Sequence, residues 1–166
     1  MVRKDVYDQR QWNSSGVNTW ASSTMRSWLN GAYKSLFSSS VQSLMGATTY
    51  RYTPGDRDND VTTRADAVFL MSLTELGLSN GTAANVEGSS LPIASVLRIA
   101  YQSGSATSQF TRSPYFSYSY DDVNVCAVGF NGGFFVAQCT DSHGSRPCFT
   151  LPNTALVDAD LNLIES

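Results

Sequence analysis

The fold is decided by residues 109–151, which read QFTRSPYFSYSYDDVNVCAVGFNGGFFVAQCTDSHGSRPCFTL. Residues 123–128 alternate between two faces, as a strand does, and Asn131-Gly132-Gly133 has the turn chemistry of a β-hairpin. The return strand is predicted over residues 134–139. A closing strand is predicted over residues 146–151. The proline near its start is compatible with a strand, because no N–H donor is needed at that position. The stretch therefore predicts the β-rich half of a mixed domain.

The same stretch has the composition of a binding surface. Eight of the nineteen aromatic residues lie in residues 110–135, among Ser, Asp, Asn and Gly. Aromatic side chains give broad contact at low entropic cost, and small polar residues adapt their hydrogen bonds. About half of these aromatics are expected in the core, alternating with exposed neighbours. The predicted ligand-contacting residues are Tyr115, Tyr118, Tyr120, Asp121, Asn124, Phe130, Asn131, Phe134, Asp141, Ser142 and His143.

Two arginines are predicted to hold the ends of this surface. Arg112-Ser113-Pro114 begins it, and Arg146-Pro147 ends it. A guanidinium fork that is bonded to backbone carbonyls or to a carboxylate ties extended loops together. The alternative is that one of the arginines binds a carboxylate of the ligand.

The chain before residue 109 is predicted to supply short helices and a few strands. A first helix is expected near residues 22–31, with Ser22 or Ser23 as its N-cap and Asn30-Gly31 as its left-handed end. Three elements are predicted before residue 61: a helix over 39–45, a strand over 48–52 and a loop over 54–60. A buried strand over 67–71 is predicted next, followed by a capping box from Ser72 to Glu75 that opens a short helix to Gly77. The remaining predicted elements are a polar loop over 79–90, a short helix over 93–100 and a loop over 103–108.

Length and charge limit the class of protein. The 166 residues predict a single α+β domain over residues 1–166, with its core at about 12–151 and residues 152–166 as a tail that pairs at a sheet edge or leads into a following domain. The net charge is −3 and the basic residues form no cluster, which argues against nucleic acid as a partner. No apolar run approaches the ~20 residues of a membrane span, and the N-terminus lacks the apolar core of a signal peptide.

Catalytic and metal-binding patterns are weak. His143 is the single histidine and no serine nearby has the surroundings of a nucleophile, so hydrolysis is disfavoured. Cys126, Cys139 and Cys148 contain no C-x-x-C spacing, so the sequence predicts no metal site and no cofactor. Whether Cys126 and Cys139 form a disulfide across the hairpin or are simply buried stays open, with burial favoured. Asp56, Asp58 and Asp60 alternate, but the glycine and glutamate of an EF-hand are missing.

Five segments in order resemble a bacterial and phage domain family of unknown function. Its helix "S.IR.WLN" corresponds to residues 23–30, and its "VFLLS..E" step to residues 68–75. Its "WWLRSP" strand corresponds to residues 109–114, its "V...G.V" hairpin to residues 123–136, and its "GVRPA" closing segment to residues 144–148. The chain departs from these motifs where Gln109 and Phe110 replace a tryptophan pair, Thr111 replaces leucine and Ser145 replaces valine.

That family is similar to C-type-lectin-like domains, which include the variable proteins of diversity-generating retroelements. The resemblance implies a small twisted antiparallel sheet, two main helices and long loops. It also implies that the ligand face is the C-terminal hairpin with its neighbouring loops. The Tyr, Asn, Ser and Asp content of that region fits adenine-directed codon diversification.

Together these observations predict a non-enzymatic ligand-binding or receptor-binding domain. We expect a phage tail protein or an extracellular, cell-surface protein whose partner is a protein or carbohydrate receptor on a cell surface. Neither nucleic acid nor membrane insertion is expected, and a homo-oligomer is compatible with such a role. The alternatives are an oxidase of the formylglycine-generating type, which uses paired cysteines, and a structural module of a virion or pilus.

Overall fold

The computed structural model describes residues 1–78, 84–92, 94–116 and 123–155. Its strands are β1 (Asp8–Gln11), β2 (Thr48–Tyr52), β3 (Thr62–Asp66), β4 (Ala100–Gln102), β5 (Ser105–Thr107), β6 (Gln109–Pro114), β7 (Asn124–Val128), β8 (Phe134–Gln138) and β9 (Ser142–Ser145). Its α-helices are α1 (Thr24–Trp28), α2 (Ser39–Leu44) and α3 (Ala94–Leu97). The described chain is therefore a mixed domain, mostly strands in small sheets with few and short helices.

The main sheet has five strands in the order β1-β9-β6-β7-β8. The pairs β1–β9, β6–β7 and β7–β8 are antiparallel, but β6 and β9 are parallel, with Gln109 opposite Gly144. The expectation of a wholly antiparallel sheet was therefore wrong at this pair. Two separate hairpins, β2–β3 and β4–β5, complete the β structure of the described residues.

The predicted hairpin at the C-terminal end is confirmed. In the β7–β8 pair Asn124 lies opposite Gln138 and Val128 lies opposite Phe134, so the turn occupies residues 129–133. The strand predicted over residues 48–52 is also confirmed as β2. The hydrogen bonds of the capping box form as well, since Ser72 N donates to Glu75 Oε2 at 2.9 Å and Glu75 N donates to Ser72 Oγ at 3.0 Å. The short helix that this box was predicted to open was wrong, because residues 73–77 form turns.

The first helix begins as predicted and ends later. Ser23 is the N-cap, and its Oγ accepts a hydrogen bond from Arg26 N at 3.1 Å. Beyond α1 the chain continues as a π-helical turn over Leu29–Tyr33 and a 3₁₀ turn over Lys34–Leu36, so the expected end at Asn30-Gly31 was wrong. Asn30 instead bonds to the backbone of Val68 in both directions, which fixes the helix to the buried segment.

Three other element predictions need correction. The closing strand is not residues 146–151 but β9 directly before them, and Cys148 forms only isolated bridges, to Val2 and Phe69. The loop predicted over residues 103–108 contains β5, which pairs with β4 around a turn at Ser103 and Gly104 with positive φ. The buried segment 67–71 pairs through Phe69 alone. For the closing segment and for residues 67–71, pairing partners distant in the chain decided the structure, and local pattern did not reveal them.

The core fills the space between the main sheet, the early helical segment and the β2–β3 hairpin. Trp12 and Trp20 are fully buried and their rings lie 5.5 Å apart. Trp12 Nε1 donates to the Thr111 carbonyl at 2.8 Å, which anchors the irregular N-terminal segment to β6. The side chain of Arg112 on β6 is also fully buried, so a charged group lies within this apolar core.

Candidate ligand-binding site

The turn between β7 and β8 is a rigid loop that exposes an aromatic side chain. Gly129 N donates to the Gly133 carbonyl at 2.8 Å, and Gly132 N donates to the Gly129 carbonyl at 2.9 Å. Gly132 has φ +78°, a conformation that side chains rarely adopt. Asn131 Oδ1 accepts from Gly133 N at 3.0 Å. Phe130, at the tip, is 68% exposed although the backbone around it is fixed by these bonds.

The turn also rests on the chain that leads into β4. A Cβ added to Gly132 would lie 3.2 Å from Ile99 Cγ1 and 3.3 Å from Arg98 Cβ. The Arg98 side chain is itself held, because its Nε donates to the Leu76 carbonyl at 2.9 Å. The turn that carries the exposed tip is therefore supported by the side chains of Ile99 and Arg98, which keeps the cost of ordering it on binding small.

A pocket of about 410 Å³ opens beside the tip. This volume is within the ~300–1,000 Å³ range that small-ligand sites occupy. Its walls combine aromatic side chains with glycine backbone and two small polar side chains. The lining residues are Ser108, Gly129, Phe130, Asn131, Gly133, Phe134 and Phe135. The arrangement offers ring faces and edges for apolar contact, with hydrogen-bonding groups at Ser108 and Asn131.

His143 lies behind the pocket wall. Its ring is perpendicular to those of Phe110 and Phe135, with centroid distances of 5.1 and 5.2 Å. Its Nδ1 is hydrogen-bonded to Ser108 Oγ at 2.7 Å. Burial lowers the pKa of His143 below its usual value, and the charge of Asp141 opposes that shift. The imidazole is therefore neutral near pH 7 and fixes the positions of Ser108 and Phe135.

The predicted contact residues fall into two groups at opposite ends of the hairpin. Phe130, Asn131 and Phe134 line the pocket, and His143 supports it through Ser108. At the other end are the half-buried Tyr115 and Asn124 and the exposed Asp141 and Ser142. Tyr118, Tyr120 and Asp121 lie outside the described residues.

The second group is tied together by backbone contacts. Tyr115 N donates to the Asn124 carbonyl at 3.0 Å, and the buried Asn18 Nδ2 donates to the carbonyls of both residues at 3.0 and 2.9 Å. Asp141 Oδ2 accepts from Gln138 N at 2.9 Å and so closes the end of β8. Tyr115 also packs against the core, so its ring is only partly available to a ligand.

Arg112 and Arg146 are structural, as expected. Arg112 Nη1 and Nη2 donate to the Leu70 and Arg51 carbonyls at 2.8 and 2.9 Å, and both also bond to Glu75. Arg146 is buried, and its Nε donates to the Arg3 carbonyl at 2.7 Å. These bonds join β6 and the segment after β9 to distant parts of the chain.

Glu87 is a buried carboxylate that sequence reasoning missed. It is fully buried, with Thr53 N donating to its Oε1 at 2.6 Å and Ser113 Oγ donating to its Oε2 at 2.7 Å. Burial raises its pKa, although the nearby charge of Arg112 and these hydrogen bonds oppose the shift. The local sequence is a polar, glycine-containing stretch, and nothing in it distinguishes Glu87 from a solvated loop residue.

The cysteines lie in the core. Cys126, Cys139 and Cys148 are buried and form no disulfide within the described part of the chain, which confirms the favoured alternative. Cys126 lies opposite Val136 in the hairpin register and so does not face Cys139. Burial raises the pKa of Cys126, and it raises that of Cys148 to about 12. These thiols therefore stay protonated near neutral pH.

Two features of the described residues bear on the class of site. Among residues 1–78, 84–92, 94–116 and 123–155, no three His, Cys, Asp or Glu side chains come together as a metal site would need. Within the same ranges, no helix has the length and apolar character required to cross a membrane.

Comparison with known proteins places the chain in one family. Nothing among curated proteins or solved structures matches it significantly. A family of domains of unknown function, DUF6273, matches residues 1–153, which is nearly the whole length. The chain belongs to the DUF6273 family.

Proposed function

We propose that this domain binds a receptor on a cell surface through the β7–β8 turn and its pocket, without catalysing a reaction. The observation that carries the proposal is Phe130, which is 68% exposed on a backbone held by its own hydrogen bonds and by packing on Ile99. An exposed aromatic on a rigid support beside a pocket is the arrangement of a binding hot spot.

The receptor is a protein or a carbohydrate, and the protein that carries this domain is a phage tail or surface protein. Three phenyl rings and the polar groups of Asn131 and Ser108 suit either an apolar side chain or the C–H face of a sugar ring. The diversified binding face of retroelement variable proteins belongs to the same proposal. Its support is the aromatic, Asn and Ser content of the turn and of residues 115–124.

The proposal includes a C-type-lectin-like fold. Its support is that β1 pairs with β9 near the C-terminal end, so that the two ends of the described chain come together beside a small sheet. The parallel β6–β9 pair and the three short helices differ from the expected pattern.

The oxidase alternative has less support. Paired-cysteine chemistry needs thiols that a substrate can reach, but Cys126 and Cys139 are both fully buried and do not face each other. If the domain is instead a structural module of a virion or pilus, the exposed turn must be covered by a neighbouring subunit and cannot bind a receptor.

The test is a binding assay with labelled protein on a panel of bacterial cells. Cells are used untreated, after protease treatment, and after periodate oxidation of surface sugars, which separates protein from carbohydrate receptors. Phe130→Ser should abolish binding. Leu36→Ser should not, and it is the matched control because Leu36 is 60% exposed and lies in the helical segment, away from the pocket lining. Equal binding by wild type and Phe130→Ser would contradict the proposal.

A further inference from the structure

Strand β8 forms an outer edge of the main sheet and lacks the usual protection of such an edge. It is the last strand in the order β1-β9-β6-β7-β8. Its sequence FFVAQ contains no charged residue and no proline, whereas natural edge strands are commonly guarded by lysine, proline or inward-pointing charges. The opposite edge strand, β1, carries the ion pair between Asp8 and Arg10. The two edges of this sheet are therefore chemically different.

Hydrogen bonds at both ends of the hairpin show which residues of β8 face outward. Gly133 O accepts from Gly129 N, and Cys139 N donates to Val123 O, so residues 133 and 139 face β7. Residues of an antiparallel ladder alternate between bonding to one neighbour and facing the other side. The even-numbered residues Phe134, Val136 and Gln138 therefore direct their backbone N–H and C=O groups away from β7.

Only part of this edge is open. The outward groups of Gln138 are used, because its N–H donates to Asp141 Oδ2 at 2.9 Å and its carbonyl accepts from Asp141 N at 3.1 Å. The outward groups of Phe134 and Val136 have no hydrogen-bond partner in the chain as described. The side chain of Val136 is 39% exposed. The open part of the edge therefore consists of the backbone groups of Phe134 and Val136.

We propose that β8 pairs antiparallel with β8 of a second copy of this chain, with the two-fold axis at Phe135. In this register Phe134 of each copy lies opposite Val136 of the other. All four open N–H and all four open C=O groups at the axis then face partners, and the Gln138–Asp141 bonds are kept. The two five-stranded sheets become one continuous sheet.

Self-complementarity favours a second copy over an unrelated peptide. A two-fold interface requires that the hydrogen-bonding groups of one patch pair with those of an identical patch. One open residue on each side of Phe135 meets that condition. A register centred on Val136 would instead oppose Phe134 to Gln138, whose groups are already bonded. The strand also carries no charge, so the axis brings no like charges together although each chain has a net charge of −3. The facing side chains are apolar.

The first test is the mass of the full chain in solution, measured by sedimentation over about a hundredfold range of concentration. We expect a reversible monomer–dimer equilibrium. Val136→Pro deletes an outward N–H and no N–H that bonds to β7, so it should yield a monomer. Val136→Thr keeps the N–H and the β-branched shape and should still dimerise. A monomer at every concentration, or an unchanged dimer in Val136→Pro, would overturn the proposal.

A charge-pair experiment keeps the proposal testable if the proline variant does not fold. Val136→Lys and Phe134→Glu should each weaken self-association by about tenfold or more, because each places like charges near the axis. Mixing the two variants should restore a dimer, since Lys at 136 then lies opposite Glu at 134. Failure of the mixture to associate, while both variants remain folded, would show that β8 does not pair in this register.

Amide hydrogen exchange gives a residue-level readout. The N–H groups of Phe135 and Ala137 face β7 and should be protected at every concentration. Those of Phe134 and Val136 should become protected only as the dimer forms. Concentration-independent exchange at Phe134 and Val136 in a dimeric sample would place the interface elsewhere.

Discussion

The guanidinium of Arg112 forms a two-pronged ion pair with Glu75, with Nη1–Oε2 and Nη2–Oε1 distances of 2.7 Å. The Arg112 side chain is fully buried, and its charge centre lies 4.6 Å from the centre of the Tyr50 ring. The pair connects β6, which carries the hairpin, to the capped turn at Ser72. The position of the strands that carry the candidate site thus depends on the ion pair between the buried Arg112 guanidinium and the Glu75 carboxylate.

Replacing this arginine should strongly destabilise the fold. Arg112→Met removes the guanidinium donors to the carbonyls of Leu70 and Arg51 and leaves Glu75 without its charged partner. Loss of one member of a buried pair costs about 3–5 kcal/mol in the free energy of unfolding. Denaturant unfolding followed by circular dichroism measures this. Arg10→Met, in the partly exposed pair with Asp8, is the control and should cost less than about 1 kcal/mol. Equal losses for the two variants would contradict the structural role of Arg112.

The buried carboxyl of Glu87 should make stability depend on pH. Its folded-state pKa is raised, chiefly by burial, so the native state holds its proton more tightly than the unfolded chain does. Ionising the buried Glu87 carboxyl therefore lowers the free energy of unfolding. This loss is absent at pH values below 4.5, the ordinary pKa of a glutamate, and grows as the pH rises above 4.5. Glu87→Gln lacks this ionisation, so its stability relative to wild type should increase with pH in that range. Urea unfolding at several pH values tests this, and a difference that does not change with pH would refute it.

Two glycines should respond oppositely to alanine. A Cβ at Gly144 would lie 2.5 Å from Val6 Cγ2 and 2.6 Å from the Ser108 carbonyl, at the crossing of β9 and β6. Gly144→Ala should therefore destabilise the protein by about 1–3 kcal/mol. Nothing lies within 4 Å of a Cβ at Gly31, which is in the π-helical turn. Gly31→Ala should be neutral or stabilise by up to about 1 kcal/mol.

Thermal unfolding of both variants provides the measurement. A destabilised Gly31→Ala would indicate that the helical segment ends at Asn30-Gly31 after all. An unaffected Gly144→Ala would contradict the close approach of β9 to Val6 and Ser108.

The thiols should be unreactive in the folded protein. Cys126, Cys139 and Cys148 are buried thiols, and burial raises the pKa of Cys126 and Cys148. A thiol reagent such as Ellman's should label none of them in native protein at neutral pH, and all three after denaturation without reductant. Fewer than three reactive thiols in the denatured chain would reveal a disulfide, and rapid native labelling would revive the paired-cysteine oxidase alternative.

The sequence was informative where local chemistry decides structure. The hairpin at residues 129–133 follows from its glycines and asparagine, and the capping box follows from the spacing of Ser72 and Glu75. The exposure of Phe130 followed from its polar and glycine neighbours. These features need no information from elsewhere in the chain.

Features that depend on distant partners were not predictable. β9 is a polar segment that becomes a strand because it lies between β1 and β6 in the sheet, and both of those strands come much earlier in the chain. Glu87 is buried because Thr53 and Ser113 supply donors, and neither is near it in sequence. For the same reason Asn30 binds Val68 and does not end a helix. Tertiary contacts override local propensity at each of these positions.

We propose that a ligand binds at the β7–β8 turn and its pocket. The most direct test is an amide NMR spectrum of the isotope-labelled protein, titrated with methyl glycosides and with N-acetylated amino-acid amides as soluble mimics of the two receptor classes. We expect one class of probe to cause shift changes concentrated at Ser108 and residues 129–135, and we expect these changes to be lost in Phe130→Ser. Shift changes centred elsewhere, or none from either class, would contradict the proposal.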